Sequence, residues 1–102
     1  MLSSERKRSF RAIGHNLKPV VTIADNGITE GVVEETRRAL DDHELIKVKF
    51  AIGDRDARRA VIAELCGISK AELVQTIGKV ALIYKAAKEP SPRLSNILRQ
   101  HG

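Results

Sequence analysis

The stretch from residue 19 to residue 31 constrains this chain more than any other, because it reads as strand, tight turn and helix start in immediate succession. Val20, Val21, Thr22 and Ile23 form a β-branched run without charge, the pattern expected of a strand buried on both faces. Asp25-Asn26-Gly27 breaks the run: Asn and Gly tolerate positive φ, and Asp can fold its side chain onto its own backbone. Thr29 is placed to cap a helix, Glu30 follows in the first turn where the helix dipole favours an acid, and Val32, Val33, Thr36 and Leu40 recur at helical spacing. Unpaired N–H groups at that helix start, beside a glycine with no side chain to block approach, make a candidate anion or phosphate site. Taken alone, the same residues favour a plain turn between strand and helix.

The flanking segments extend this unit into a domain. Ser3 and Ser4 can cap a first helix over 5–13, ended by Gly14, with Phe10, Ile13 and Leu17 as one apolar stripe and Arg6, Lys7, Arg8 and Arg11 around the remainder. Pro19 is acceptable because it opens the first strand. Asp41-Asp42-His43 closes the second helix. Residues 44–52 then alternate, with Ile46, Val48, Phe50 and Ile52 on one side and Leu45, Lys47, Lys49 and Ala51 on the other. Period two predicts a half-exposed strand, with Lys47 and Lys49 about 7 Å apart on its outer face. Asp54 caps a third helix in which Ala57, Val61 and Leu65 face inward, Arg55, Arg58 and Arg59 face outward, and Gly67 is the expected terminator. Strands over 72–77 and 80–85 join through Gly78-Lys79, which leaves Lys79 at an exposed tip.

The expectation is a compact single α/β domain over 1–87 in the order α-β-α-β-α-β-β. Its small four-stranded mixed sheet would be packed by helices, mostly on one face. Pro90 and Pro92 set off a tail over 88–102, expected to be mobile because Leu94, Ile97 and Leu98 give an amphipathic turn too short to hold alone in water.

Several function classes fall away at this point. A chain of 102 residues with one cysteine has room for one domain and no internal disulfide, so Cys66, among Leu65, Gly67 and Ile68, reads as a small buried hydrophobe. His15, His43 and His101 are scattered, no pair has metal-ligand spacing, and neither a dinucleotide fingerprint nor a P-loop is present. The expectation is therefore a protein without catalytic residues, metal, cofactor or small-molecule substrate, and a monomer when free. No apolar run approaches a membrane span and no secretory signal is visible, which makes the cytoplasm the expected compartment.

Charge distribution favours a polyanion as partner. Between Thr29 and Ile46 the balance is −4, whereas the rest of the chain carries +9, for a net +5. Such a molecule is two-sided, and its basic side suits a nucleic-acid backbone, although an excess of this size also occurs on plain solvated surfaces. Cations or free amides come from four elements: the first helix, the Asn26-Gly27 loop, the Lys47/Lys49 strand and the Lys79 tip. Phe10 and Phe50 read as core, leaving Tyr84 as the aromatic available for exposure, so a stacking platform is not expected. Two rivals share this sequence: a protein-interaction module docking through the acidic second helix and the tail, and a nonspecific nucleic-acid binder.

Four runs in order carry a resemblance: His15-Asn16-Leu17-Lys18-Pro19-Val20-Val21, Asn26-Gly27-Ile28-Thr29-Glu30-Gly31-Val32, His43-Glu44-Leu45-Ile46-Lys47-Val48-Lys49, and Ile77-Gly78-Lys79 with Leu82-Ile83-Tyr84. Together they resemble the bacterial YhbY proteins, stand-alone CRM domains, over about residues 4 to 87. The resemblance implies a domain similar in topology to the C-terminal domain of translation initiation factor three, binding structured RNA in precursors of the large ribosomal subunit. It also implies a Gly-x-x-Gly loop beside a basic first helix. Here the loop reads Ala24-Asp25-Asn26-Gly27, with alanine in the first glycine position. The candidate RNA contacts are Arg6, Lys7, Arg11, His15, Lys18, Asp25, Asn26, Gly27, Thr29, Lys47, Lys49 and Lys79.

Overall fold

The computed structural model describes residues 2–101, with side chains as far as Arg99. Three helix starts follow directly from their caps. Ser3 Oγ accepts from the Arg6 N–H at the start of α1 (Ser4–Gly14), Thr29 Oγ1 from Val32 at α2 (Glu30–His43), and Asp54 Oδ2 from Ala57 at α3 (Arg55–Ser69). Each side chain satisfies a backbone donor that the first turn leaves open. The helix α3 runs past Gly67, where it was expected to stop. Gly67 remains helical, and Lys70 supplies the left-handed cap at φ 58° while the Ala71 N–H returns to the Cys66 carbonyl. Helix termination is thus set by where the next strand begins to pair, not by the first glycine available.

The strands β1 (Pro19–Ile23), β2 (Leu45–Phe50), β3 (Glu72–Ile77) and β4 (Val80–Tyr84) form one mixed sheet in the order β1-β2-β4-β3. The pair β1 and β2 is parallel; β2 with β4 and β4 with β3 are antiparallel. On one face, α2 and α3 cover Val21, Ile23, Ile46, Val48, Phe50, Ala81 and Ile83, with Leu40, Ile62 and Leu65 completing the core. Within it the Thr36 hydroxyl is fully buried and has no hydrogen-bond partner among the described residues. A buried unpaired hydroxyl costs more than an isosteric methyl. Thr36→Val is therefore expected to raise stability by about 1 kcal/mol, seen as a higher midpoint in chemical denaturation.

Two sequence expectations change here. The strand β1 is not buried on both faces: it is an edge strand whose Val21 and Ile23 are buried while Val20 is 49% exposed. Its β-branched run reflects strand conformation and one covered face. The helices are also not mostly on one face. The opposite face is covered at one end by α1 and the short α4 (Asn96–His101), where Leu2, Phe10, Ile13, Leu45, Val74 and Leu82 form a second cluster joined by Leu17, Tyr84 and Ile97. Gly14 lets α1 lie close on β4, since a Cβ there would sit 2.6 Å from a Leu82 methyl.

The stretch from Lys88, expected to be a mobile tail, is drawn back onto the domain. Ser95 is fully buried and donates to Glu44 Oε1 at 2.6 Å, Asn96 donates to the Leu45 carbonyl at 2.7 Å, and His43 Nδ1 meets the Leu94 carbonyl at 2.8 Å. Glu44 Oε2 also accepts the Ala87 N–H at 2.9 Å. Polar contacts to the junction of α2 and β2 hold this segment, which is why the short apolar pattern within it gave no sign of docking.

Candidate nucleic-acid interface

The uncovered half of the second sheet face presents the cations of β2. Lys47 lies opposite Pro19 and Leu82, and Lys49 opposite Thr22 and Val80. Lys49 is exposed, while Lys47 is half-buried and lines a cavity of about 180 Å³ with Gln75, Ile77 and Val80. Lysine can lay its stem on such apolar surface and keep the ammonium in water. Neither ammonium is ion-paired among the described residues.

At the C-terminal end of β2 two turns meet. The Phe50 N–H donates to the Lys79 carbonyl and the Ala51 N–H to the Ile23 carbonyl, each at 2.7 Å. These bonds bring the hairpin tip and the 24–27 loop to the same end of the sheet. The loop is closed by the Gly27 N–H on the Ala24 carbonyl at 2.9 Å, with Gly27 at φ +75°. A Cβ added at Gly27 would meet nothing within 4 Å. Only backbone conformation therefore requires glycine here, and the space above it is open to a ligand. Asp25 and Asn26 are exposed. The Thr29 hydroxyl, by contrast, is engaged as the α2 cap.

Helix α1 sits toward the other end. Its Arg6 guanidinium lies 5.1 Å from the Phe10 ring centre and 5.6 Å from that of Tyr84, and reaches the Tyr84 hydroxyl at 3.4 Å. Lys7 Nζ is 4.0 Å from Glu72 Oε2. Tyr84 and Glu72 pair in register with each other, and Tyr84 with Leu45, so these cations stand at the start of β2. Roughly 17 Å of strand separates that end from Phe50 and the loop. His15 and Lys18, both exposed, follow α1 toward the edge strand. The predicted residues are therefore spread from one end of the sheet to the other and not gathered in a single cluster; Arg11, half-buried, stands in the last turn of α1, and Thr29 at the start of α2. The acidic helix α2 packs against the other face.

A family model described as the CRS1 / YhbY (CRM) domain matches residues 2–85. This chain belongs to that family. Among its relatives, a probable RNA-binding protein of Pseudomonas aeruginosa is 55% identical over 101 residues, covering 99% of this chain and 97% of its own length. An RNA-binding protein of Haemophilus influenzae is 41% identical over 93 residues, covering 91% and 94%. The solution structure of a hypothetical Staphylococcus aureus protein, 34% identical, superposes with a TM-score of 0.76 over 87% of this chain and 93% of that one.

In this CRM domain, three further cations share a site that helical spacing alone does not reveal. Arg55, Arg58 and Arg59 line a groove beside β3, and Arg58 is tied to the Ile52 carbonyl at 2.8 Å. Their i, i+3 and i+4 positions were legible, but not the strand edge facing them. The groove also takes in Cys66, whose thiol is pushed up from its ordinary value by burial. That shift favours the unreactive thiol over the thiolate.

The loop glycine can be tested in two parts. Gly27→Val places a β-branched residue at positive φ and is expected to cost about 2 kcal/mol of stability. Gly27→Asn, which tolerates that conformation and projects into open space, is expected to stay within about 1 kcal/mol of the parent. Thermal denaturation of the two variants separates backbone strain from any role of the loop surface.

Proposed function

We propose that this protein binds structured RNA along the line that runs from α1 across Lys47 and Lys49 to the Asn26-Gly27 loop and Lys79, and that the RNA is ribosomal, within precursors of the large subunit. One observation carries the reading. Lysines without ion partners among the described residues stand on an uncovered sheet face whose far end bears an open glycine turn, while the acids of α2 lie on the opposite side. Phosphate contacts of this kind supply affinity and register but little sequence information. The proposed role is binding through charge and shape, and no residue is assigned a catalytic part in it. Support also comes from the names of the Pseudomonas and Haemophilus relatives, which describe RNA binding.

The rival reading as a protein-docking module loses part of its anchor, because Ile97 packs into the second cluster and only Leu94 and Leu98 of the apolar trio remain exposed. No described helix is long and apolar enough to cross a membrane. The decisive experiment is sedimentation of the tagged protein from gently lysed cells at low and moderate salt, with sequencing of the RNA that travels with it. The expected result is co-migration with particles lighter than the mature large subunit, carrying unprocessed rRNA. Migration as free protein at both salts would overturn the ribosomal assignment.

A further inference from the structure

The groove beside β3 is not part of that line. Its volume is about 580 Å³; Arg55, Arg58 and Arg59 stand on the α3 side, and Ile62, Leu73 and Gly78 complete the floor and far end. Leu73 is 39% exposed, so the floor offers apolar surface to whatever enters. Arg55 and Arg59 are exposed and make no hydrogen bond or ion pair among the described residues. Arg58 is different: its Nη1 donates to the Ile52 carbonyl, which fixes its guanidinium at the head of the groove.

We infer that this groove binds a single-stranded RNA segment adjoining the structured RNA held on the other side of the sheet. Guanidinium groups pair with phosphates and stack on bases through their planes, and an apolar floor accepts unpaired bases but gives no hold on a duplex backbone. The route between the two surfaces is short. Gly78 lines the groove, and the next residue is Lys79, whose carbonyl is bonded to Phe50 at the end of the lysine-bearing strand. A strand leaving the duplex near the hairpin tip therefore passes directly into the groove. This inference rests on the RNA-binding reading above and adds a second class of contact to it.

The test uses two RNAs, a blunt hairpin and the same hairpin with a single-stranded extension, and the parent protein beside the Arg55→Ala/Arg59→Ala variant. Both arginines are exposed and unpaired, and Arg58 is left in place to hold the loop after β2. The parent is expected to bind the extended RNA about tenfold more tightly, with a salt dependence steeper by roughly 1.4 units for two single-strand phosphate contacts. The variant is expected to lose that advantage and keep its affinity for the blunt hairpin. Cys66, the one cysteine, lines the groove and, with alkylation run at raised pH to offset the burial that disfavours its thiolate, supplies an independent readout. Its alkylation is expected to slow severalfold when the extended RNA is bound, and to be unchanged with the blunt hairpin, which brings a polyanion without filling the groove. Equal affinity of the parent for both RNAs, equal weakening of both by the variant, or no protection of Cys66 would each overturn the groove assignment while leaving RNA binding intact. Failure of the parent to bind either RNA would overturn the general reading as well.

Discussion

Glu44→Ala is expected to lower the free energy of unfolding by about 3 kcal/mol, the largest stability effect of any single substitution considered for this protein. Glu44 is 5% exposed, and its carboxylate accepts the Ser95 hydroxyl at 2.6 Å and the Ala87 N–H at 2.9 Å. Its own carbonyl accepts the Lys85 N–H and its N–H reaches the Leu40 carbonyl, so one residue joins α2, β2, the end of β4 and the returning C-terminal segment. Truncation leaves a buried hydroxyl and a backbone donor unpaired, which costs more than the bonds themselves contributed. Glu44→Gln keeps the shape and one acceptor and should lose about half as much.

Glu44 also has φ 62° and ψ −49°, an unusual backbone for a side chain-bearing residue. Glu44→Gly removes the same bonds but relieves that strain, so it should be more stable than Glu44→Ala by about 1 kcal/mol. Urea denaturation of the three variants tests both parts. Limited proteolysis adds a local readout, since Glu44→Ala should expose residues beyond Lys85 to cleavage well before the sheet opens. Equal stability of parent and Glu44→Ala would mean that the carboxylate does not hold the segment.

Replacing Lys47 and Lys49 together by glutamine is expected to weaken binding of structured RNA about tenfold at moderate salt and to reduce the salt slope by roughly 1.4 to 1.8 units. Glutamine preserves part of the aliphatic stem at positions that face Leu82 and Val80 in register, so thermal stability should be nearly unchanged. The loss should be similar across RNA sequences, because ammonium groups on a sheet face contact phosphates and do not read base edges. An unchanged slope would remove the strand from the interface and return attention to α1. Among the α1 cations, Arg6 is occupied over the Phe10 and Tyr84 rings and Lys7 is beside Glu72, so each has a structural task as well as a charge to offer.

What the sequence determined was local. Ser3, Thr29 and Asp54 announce three helix starts because a capping oxygen must lie within a few residues of the donors it satisfies, and all three caps are seen. The alternation around Val48 places Lys47 and Lys49 on one face for an equally local reason, the two-residue repeat of a strand. The order of the elements and the turn at Asn26-Gly27 came from the same local patterns, and the four-run resemblance added the family and RNA as the expected partner.

Tertiary structure decided everything that depends on partners distant in the chain. A β-branched run has the same appearance in a central strand and at an edge, so only the sheet order made β1 an edge, and only the placement of the helices left Val20 outside both apolar clusters. Arg55, Arg58 and Arg59 became the wall of a groove because β3 lies opposite them. Glu44 reads along the chain as one more acid after a helix; in space it is the acceptor that gathers Ala87 and Ser95 across more than forty residues. Burial and hydrogen bonding are set by which surfaces meet, and a residue's immediate neighbours carry no record of what will be packed against it from elsewhere in the chain.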